Sequence, residues 1–139
     1  LMGFPPGWTV AEGDSLVSCD LLDERFGFTL ENYAVEYHHG SMLNIDITYR
    51  LITTADINVD NYPDSVPMAE TVIQFITDYP TKTDYWEIIN KKLTRLLLDR
   101  YPQMSGITSH ITIISNQVIP FTKESSLVTM NRPGYCPIS

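Results

Sequence analysis

The side chains able to do chemistry are few. His38, His39 and His110 are the only histidines, and Cys19 and Cys136 the only cysteines, of 139 residues. His38 and His39 are adjacent, so on a strand they point to opposite faces and cannot both grip one metal ion. His110 is far away in sequence; no metal site is expected, and the histidines read as turn and surface groups. The cysteines lie near opposite ends of the chain. A metal cage needs closely spaced ligands and a disulfide scaffold needs more pairs, so two free thiols are expected, with a single end-to-end bridge as the alternative. A phosphate-cradling Gly-rich loop, a nucleophile elbow and paired helical histidines are all missing, and no cofactor is implied. Among the carboxylates, Asp84-x-x-Glu87 has capping-box spacing and Glu87–Lys91 is a favourable i,i+4 pair. Glu36 reads as a strand charge and Trp86 as a core or interface ring.

Those groups need elements to hold them. From Met42 to Thr53, Leu43, Ile45, Ile47, Tyr49 and Leu51 alternate with Asn44, Asp46, Thr48 and Arg50. Period two predicts a strand with one wet face, hence an antiparallel sheet. Thr29 to Tyr37 alternates as well, with Tyr33, Val35 and Tyr37 on one face, and His38-His39-Gly40-Ser41 supplies a hairpin turn. Asn58 to Asp64 is turn chemistry, and Pro67 suits the first turn of a helix carrying Met68, Val72, Phe75, Ile76 and Tyr79. Pro80 stops it. A second helix from Thr83-Asp84 to Arg100 carries the stripe Tyr85, Ile89, Leu93, Leu96, Leu97 and Tyr101. Ile107 to Ile113 reads as a third long strand and Ser125 to Met130 as a fourth. Residues 1–25, rich in Gly and Pro without a period, read as an irregular N-terminal arm. Residues 26–134 form one domain, and 135–139 a C-terminal tail.

Composition narrows the classes further. Apolar residues at 43% and aromatics at 11% exclude a disordered chain. The formal charge of −8 and the lack of a basic face argue against nucleic acid. No apolar run approaches the roughly 20 residues of a membrane helix, so the chain is not expected to span a bilayer. With no secretory signature and no Asn-x-Ser/Thr acceptor, a soluble cytoplasmic or organellar compartment is expected. Leu1 in place of Met leaves room for a removed leader.

The order strand, strand, helix, helix, strand, strand resembles the tunnelling fold. That superfamily contains dihydroneopterin aldolase, 6-pyruvoyl-tetrahydropterin synthase, GTP cyclohydrolase I and the two halves of uricase. The resemblance covers about Phe26 to Gly134. It implies an α+β fold, a four-stranded antiparallel sheet with two helices on one face, closed into an oligomeric barrel that binds bicyclic heterocycles between subunits. The aldolase branch is most similar. Its glutamate-x-x-x-glycine element resembles Glu36-Tyr37-His38-His39-Gly40, followed by SMLNIDITYRLI. VPMAETVIQFI resembles its first helix and YWEIINKKLTRLLLDRYP its second. By that match Glu87 is the carboxylate that grips a pterin's amidine-like edge, as a carboxylate grips Arg. Glu36 is the candidate catalytic residue, and Trp86 is a ring placed to stack on the ligand.

The chain also departs from that pattern. Met68 and Ser115 stand where the aldolase has its active-site tyrosine and lysine, and Ser41 replaces a glutamine. Lys123 is eight residues beyond Ser115. A uricase half is the second resemblance: Ser65 in DSVPMAETV sits where a catalytic threonine would be, which makes it a candidate ligand contact, and LLLDRYPQMSGITSHITI is similar to the uricase helix-to-strand passage. Together these imply a homo-oligomer or a subunit of a larger complex, binding a pterin- or purine-like heterocycle at a subunit interface. If it turns over, the reaction is an aldolase-like lyase step before a uricase-like oxidation. The alternative is a non-catalytic structural subunit that uses the same fold.

Overall fold

A computed structural model describes the backbone of residues 9–12 and 15–18, and residues 23–36, 40–52, 58–60, 62–115 and 120–138 with their side chains. The elements run β1 Thr9–Glu12, β2 Ser15–Ser18, β3 Phe26–Val35, β4 Ser41–Leu51, α1 Ser65–Thr77, α2 Trp86–Arg100, β5 Met104–Ser115 and β6 Glu124–Asn131. The expectations for Tyr37, for the His38-His39 turn and for Thr53 lie outside the described residues. The arm read as irregular holds a small antiparallel hairpin, β1 with β2. Four residues per strand with no periodic apolar pattern left no signal for it in the sequence.

The main sheet has strand order β3-β4-β5-β6, antiparallel throughout, so neighbours in sequence are neighbours in space. The expected alternation decides its faces. Leu43, Ile45, Ile47 and Tyr49 pair with Ile113, Ile111, Ser109 and Ile107, and all eight are buried. Phe26, Phe28, Leu30, Tyr33 and Val35 of β3 pack against this row from both sides of a bulge at Glu31–Asn32, where Asn32 takes φ 57°. Asparagine tolerates that left-handed conformation, and its N–H is held by Asn44 Oδ1 at 2.9 Å.

Both helices lay their apolar stripes on this one face. Met68, Val72 and Ile76 of α1 and Trp86, Ile89, Leu93 and Leu97 of α2 complete a single core. The opposite face is polar. There Thr29 Oγ1 donates to Asp46 Oδ1 at 2.5 Å, His110 Nδ1 stands 3.9 Å from Asp46, and Thr108 and Thr129 share a 3.1 Å bond. Phe75 and Leu96, expected in the core, are half-buried and line a cleft between the helices. No described helix is long and apolar enough to cross a membrane.

Pro67 stands in the first turn of α1 as expected, and Asp64 caps the helix, its Oδ1 accepting from the Val66 N–H at 3.0 Å. Helix α2 begins at Trp86 with Tyr85 as N-cap and no side-chain cap, so Asp84-x-x-Glu87 is not a capping box. The Asp84 carboxylate is engaged elsewhere, accepting from the Tyr79 hydroxyl at 2.5 Å. The free-thiol expectation is also overturned: Cys136 is disulfide-bonded. The other cysteine, Cys19, lies outside the described residues. Disulfides are rare in cytosolic proteins, so the bond does not support the cytoplasmic half of the expected localisation.

Arg50 joins the segment before β3 to the C-terminal tail. Its guanidinium lies 3.5 Å from Asp23, just before β3, and donates to the Pro137 carbonyl at 3.3 Å in the tail. The tail is docked, with Ile138 buried and its N–H held by Asn131 Oδ1 at 2.8 Å.

Candidate functional site

The site is built outward from Asn90. This residue is fully buried on α2, and its amide donates to the Ser109 carbonyl at 3.0 Å and to the Ser126 carbonyl and hydroxyl at 3.1 Å. A polar group buried beneath a helix costs free energy unless paired, and here the pairing ties α2 to two strands at once. At the other end of α2, Arg132 donates to the Met104 carbonyl at 2.6 Å and to the carbonyls of Leu98 and Tyr101. The helix is therefore clamped at two points along the sheet. Its first turn is fixed at the sheet end where β5 finishes and β6 begins.

Glu87 stands in that first turn, exposed, where the positive end of the helix dipole favours a carboxylate. It makes no hydrogen bond or ion pair among the described residues, and the expected Glu87–Lys91 pair does not form. Trp86 is only 4% exposed and lies in the core, as the residue reading expected, so it is not placed to stack on a ligand. Tyr85, expected in the buried stripe, is instead 72% exposed. The N-cap geometry explains why. With φ −65° and ψ 149° at Tyr85, the backbone there is extended, so its side chain leaves the stripe that Ile89 and Leu93 follow. A pattern of helical spacing run back through Tyr85 placed that ring inside as well.

Glu36 follows directly on β3. Val35 pairs with Ser41, and Ser41 with Ser115, so Glu36, Ser41 and Ser115 gather at the sheet end that also faces the α2 N-terminus. Beside Glu36 opens a cleft of about 410 Å³ between β3 and α1, lined by Tyr33, Val35, Glu36, Ile76, Thr77 and Lys82. The Tyr33 and Thr77 hydroxyls are hydrogen-bonded to each other across it. Lys82, which sequence reasoning passed over, donates to the Thr77 carbonyl at 3.0 Å, a carbonyl of the last α1 turn. Only the α1–α2 connection folding back on β3 makes it a neighbour of Glu36. Glu87 does not line this cleft.

Ser65 is not brought to this end. It begins α1, whereas Thr77 at the other end of the same helix touches the cleft. Ser65 lies by Tyr49, whose hydroxyl is buried with no partner in hydrogen-bond geometry among the described residues, although Tyr62 and Ser65 are close enough to influence its ionisation. Burial pushes the Tyr49 phenol well above its ordinary value, with Tyr62 adding to the rise. Met68 is sealed in the core, and Lys123 is exposed beyond the described end of β5.

Among the described residues no three His, Cys, Asp or Glu side chains are grouped closely enough to hold a metal ion. What the arrangement offers is two carboxylates, one ammonium and one exposed phenol ring at a single end of the sheet. No family model matches the chain, and no curated protein matches it in sequence.

Proposed function

We propose that this is a tunnelling-fold protein that binds an amidine-edged bicyclic heterocycle, a pterin or purine, where copies of the chain meet side by side. The observation that carries the reading is Glu87: an exposed carboxylate, unpaired among the described residues, on the first turn of a helix clamped to the sheet. A carboxylate accepts two parallel N–H bonds from an amidine edge. The neighbouring Tyr85 ring offers a face on which a planar heterocycle stacks.

The sheet supports the side-by-side arrangement. Strands β3 and β6 are both edges, each with a row of backbone groups that no described strand pairs. Joining the β3 edge of one copy to the β6 edge of another satisfies both rows and turns the polar, helix-free face toward a wet barrel interior. The proposal is of binding rather than brisk turnover. Buried Met68 has no exchangeable proton, and the serine hydroxyl at 115 is a far weaker acid than the lysine ammonium of the aldolase pattern.

Calorimetry with neopterin and guanine, run beside light scattering on the same preparation, tests the reading. Glu87→Ala should cost about 2–5 kcal/mol of binding, the usual loss when one partner of a desolvated charged contact is removed. Tyr85→Ala should cost about 0.5–1.5 kcal/mol. An oligomer that gives no heat with any pterin or purine would favour the non-catalytic structural subunit. Rapid aldol cleavage of dihydroneopterin would show that another group replaces the missing proton carriers.

A further inference from the structure

We infer that the C-terminal tail is a redox latch. It straps one end of the helix-free sheet face while Cys136 is disulfide-bonded, and leaves that face when the bond is reduced. This is independent of the heterocycle reading.

The slot for the strap is made by a glycine. After β6 the chain turns back at Pro133-Gly134, where Gly134 takes φ 89°, a conformation open to glycine. Gly106 of β5 pairs with Asn131 on one side and Arg50 on the other. Its neighbour Ile107 is buried in the core, so by alternation position 106 faces the helix-free side. A Cβ there would collide with Asn131 Oδ1 and stand 3.1 Å from Ile138 Cγ2. The absent side chain therefore leaves the space that the tail fills. Ile138, 2% exposed, lies there with its N–H donating to Asn131 Oδ1 at 2.8 Å. Arg50 donates to the Pro137 carbonyl at 3.3 Å.

Cys136 decides whether the slot stays filled, since it is disulfide-bonded beside these contacts. Holding residues 133–138 in one conformation costs backbone entropy, most of all at Gly134. The burial of Ile138 and the hydrogen bonds with Asn131 and Arg50 offset a cost of the same order, so the tail by itself is near balance. The covalent tie tips that balance by making docking an event within a tethered loop. Cys136 is half-buried between exposed Tyr135 and Pro137, within reach of a small dithiol. One thiolate of the dithiol attacks a sulfur of the bond, which breaks. The second thiol then closes the reagent's own disulfide and leaves the protein with two thiols. Two electrons and two protons pass from the dithiol to the protein.

The test is NMR of the full chain in three forms: oxidised, treated with dithiothreitol, and as Cys136→Ser without reductant. The Ile138 amide and methyl signals should move from their docked to unstructured positions in both the reduced protein and Cys136→Ser. The docked-to-released ratio should fall roughly a hundredfold, the low end of what tethering contributes. The amide signals of Ile45 and Ile111, on the central strands, should stay in place, which separates release of the tail from unfolding of the sheet. Reoxidation should return Ile138 to its docked position. Gly106→Ala should displace Ile138 with the bond intact; if that variant does not fold, the Cys136→Ser comparison carries the test. Ile138 signals that stay docked after reduction would overturn the inference. So would loss of the Ile45 and Ile111 signals together with it, since the bond would then be a staple of the whole fold and not a latch on the tail.

Discussion

Replacing Asn90 by alanine tests whether one buried amide fixes the α2 register. The perturbation removes the donors for two backbone carbonyls, Ser109 at 3.0 Å and Ser126 at 3.1 Å, and for the Ser126 hydroxyl at 3.1 Å. A net hydrogen bond contributes about 1 kcal/mol, and a buried acceptor left without a partner costs about 1–3 kcal/mol. Asn90 is fully buried, so water cannot easily replace the lost donors, and the missing carboxamide also leaves a small cavity. Two acceptors lost at the lower figure, plus the cavity, give about 3 kcal/mol. That is a large share of the roughly 5–15 kcal/mol that holds a domain together. Urea unfolding followed by circular dichroism, with the slope of the transition checked for constancy, measures it. Asn90→Asp should cost at least as much, since it sets an acceptor against two acceptors. A loss under about 1 kcal/mol for Asn90→Ala would refute the clamp, and with it the argument that Glu87 is held rather than merely displayed.

Two further outcomes follow from buried groups. Below about pH 10 the Tyr49 phenol is protonated in both folded and unfolded chains; above that, only the folded chain keeps the proton, so stability should fall as pH rises, by up to about 1.4 kcal/mol per unit. Tyr49→Phe should remove that part of the alkaline slope, measured by urea unfolding from pH 9 to 11, and an unchanged slope would show that Tyr49 ionises freely. Reducing the disulfide at Cys136 should destabilise the fold by about 2–5 kcal/mol, seen as a lower thermal midpoint with reductant than without. Two titratable thiols in unreduced, unfolded protein would contradict the bond.

The sheet was legible because its two faces differ in polarity, so period two in β4 and β5 announced both the strands and the side that the helices cover. The same signal was mute where burial is partial: Phe75 and Leu96 fit the helical stripe, yet the gap between α1 and α2 leaves them lining a cleft. Site residues were harder to read because they depend on where elements begin. Periodicity runs smoothly through Tyr85 and cannot register that the backbone there is still extended, so Tyr85 was read into the buried stripe although it faces solvent. Lys82 carried no motif at all, and its place beside Glu36 comes from a connection folding back on β3, a long-range event with no local trace.

The same dependence says why carboxylates rather than proton carriers are the durable part of this site. Glu36 and Glu87 each sit one residue from the boundary of a regular element whose interior is fixed by apolar or hydrogen-bonded partners, so their positions follow from packing they do not take part in. Met68 shows the converse: it is itself packing, fully buried and touching the core from α1. A tyrosine at that position would have to bury its hydroxyl in the core, at a cost of about 1–3 kcal/mol without a partner, or turn out of the core and leave a cavity. Met68→Tyr is therefore expected to destabilise the fold rather than to restore acid–base chemistry. Thermal unfolding beside an aldolase assay separates the two. A folded Met68→Tyr protein with new turnover would show that the α1 side of the core opens onto the ligand, and would overturn the reading of this chain as a binder.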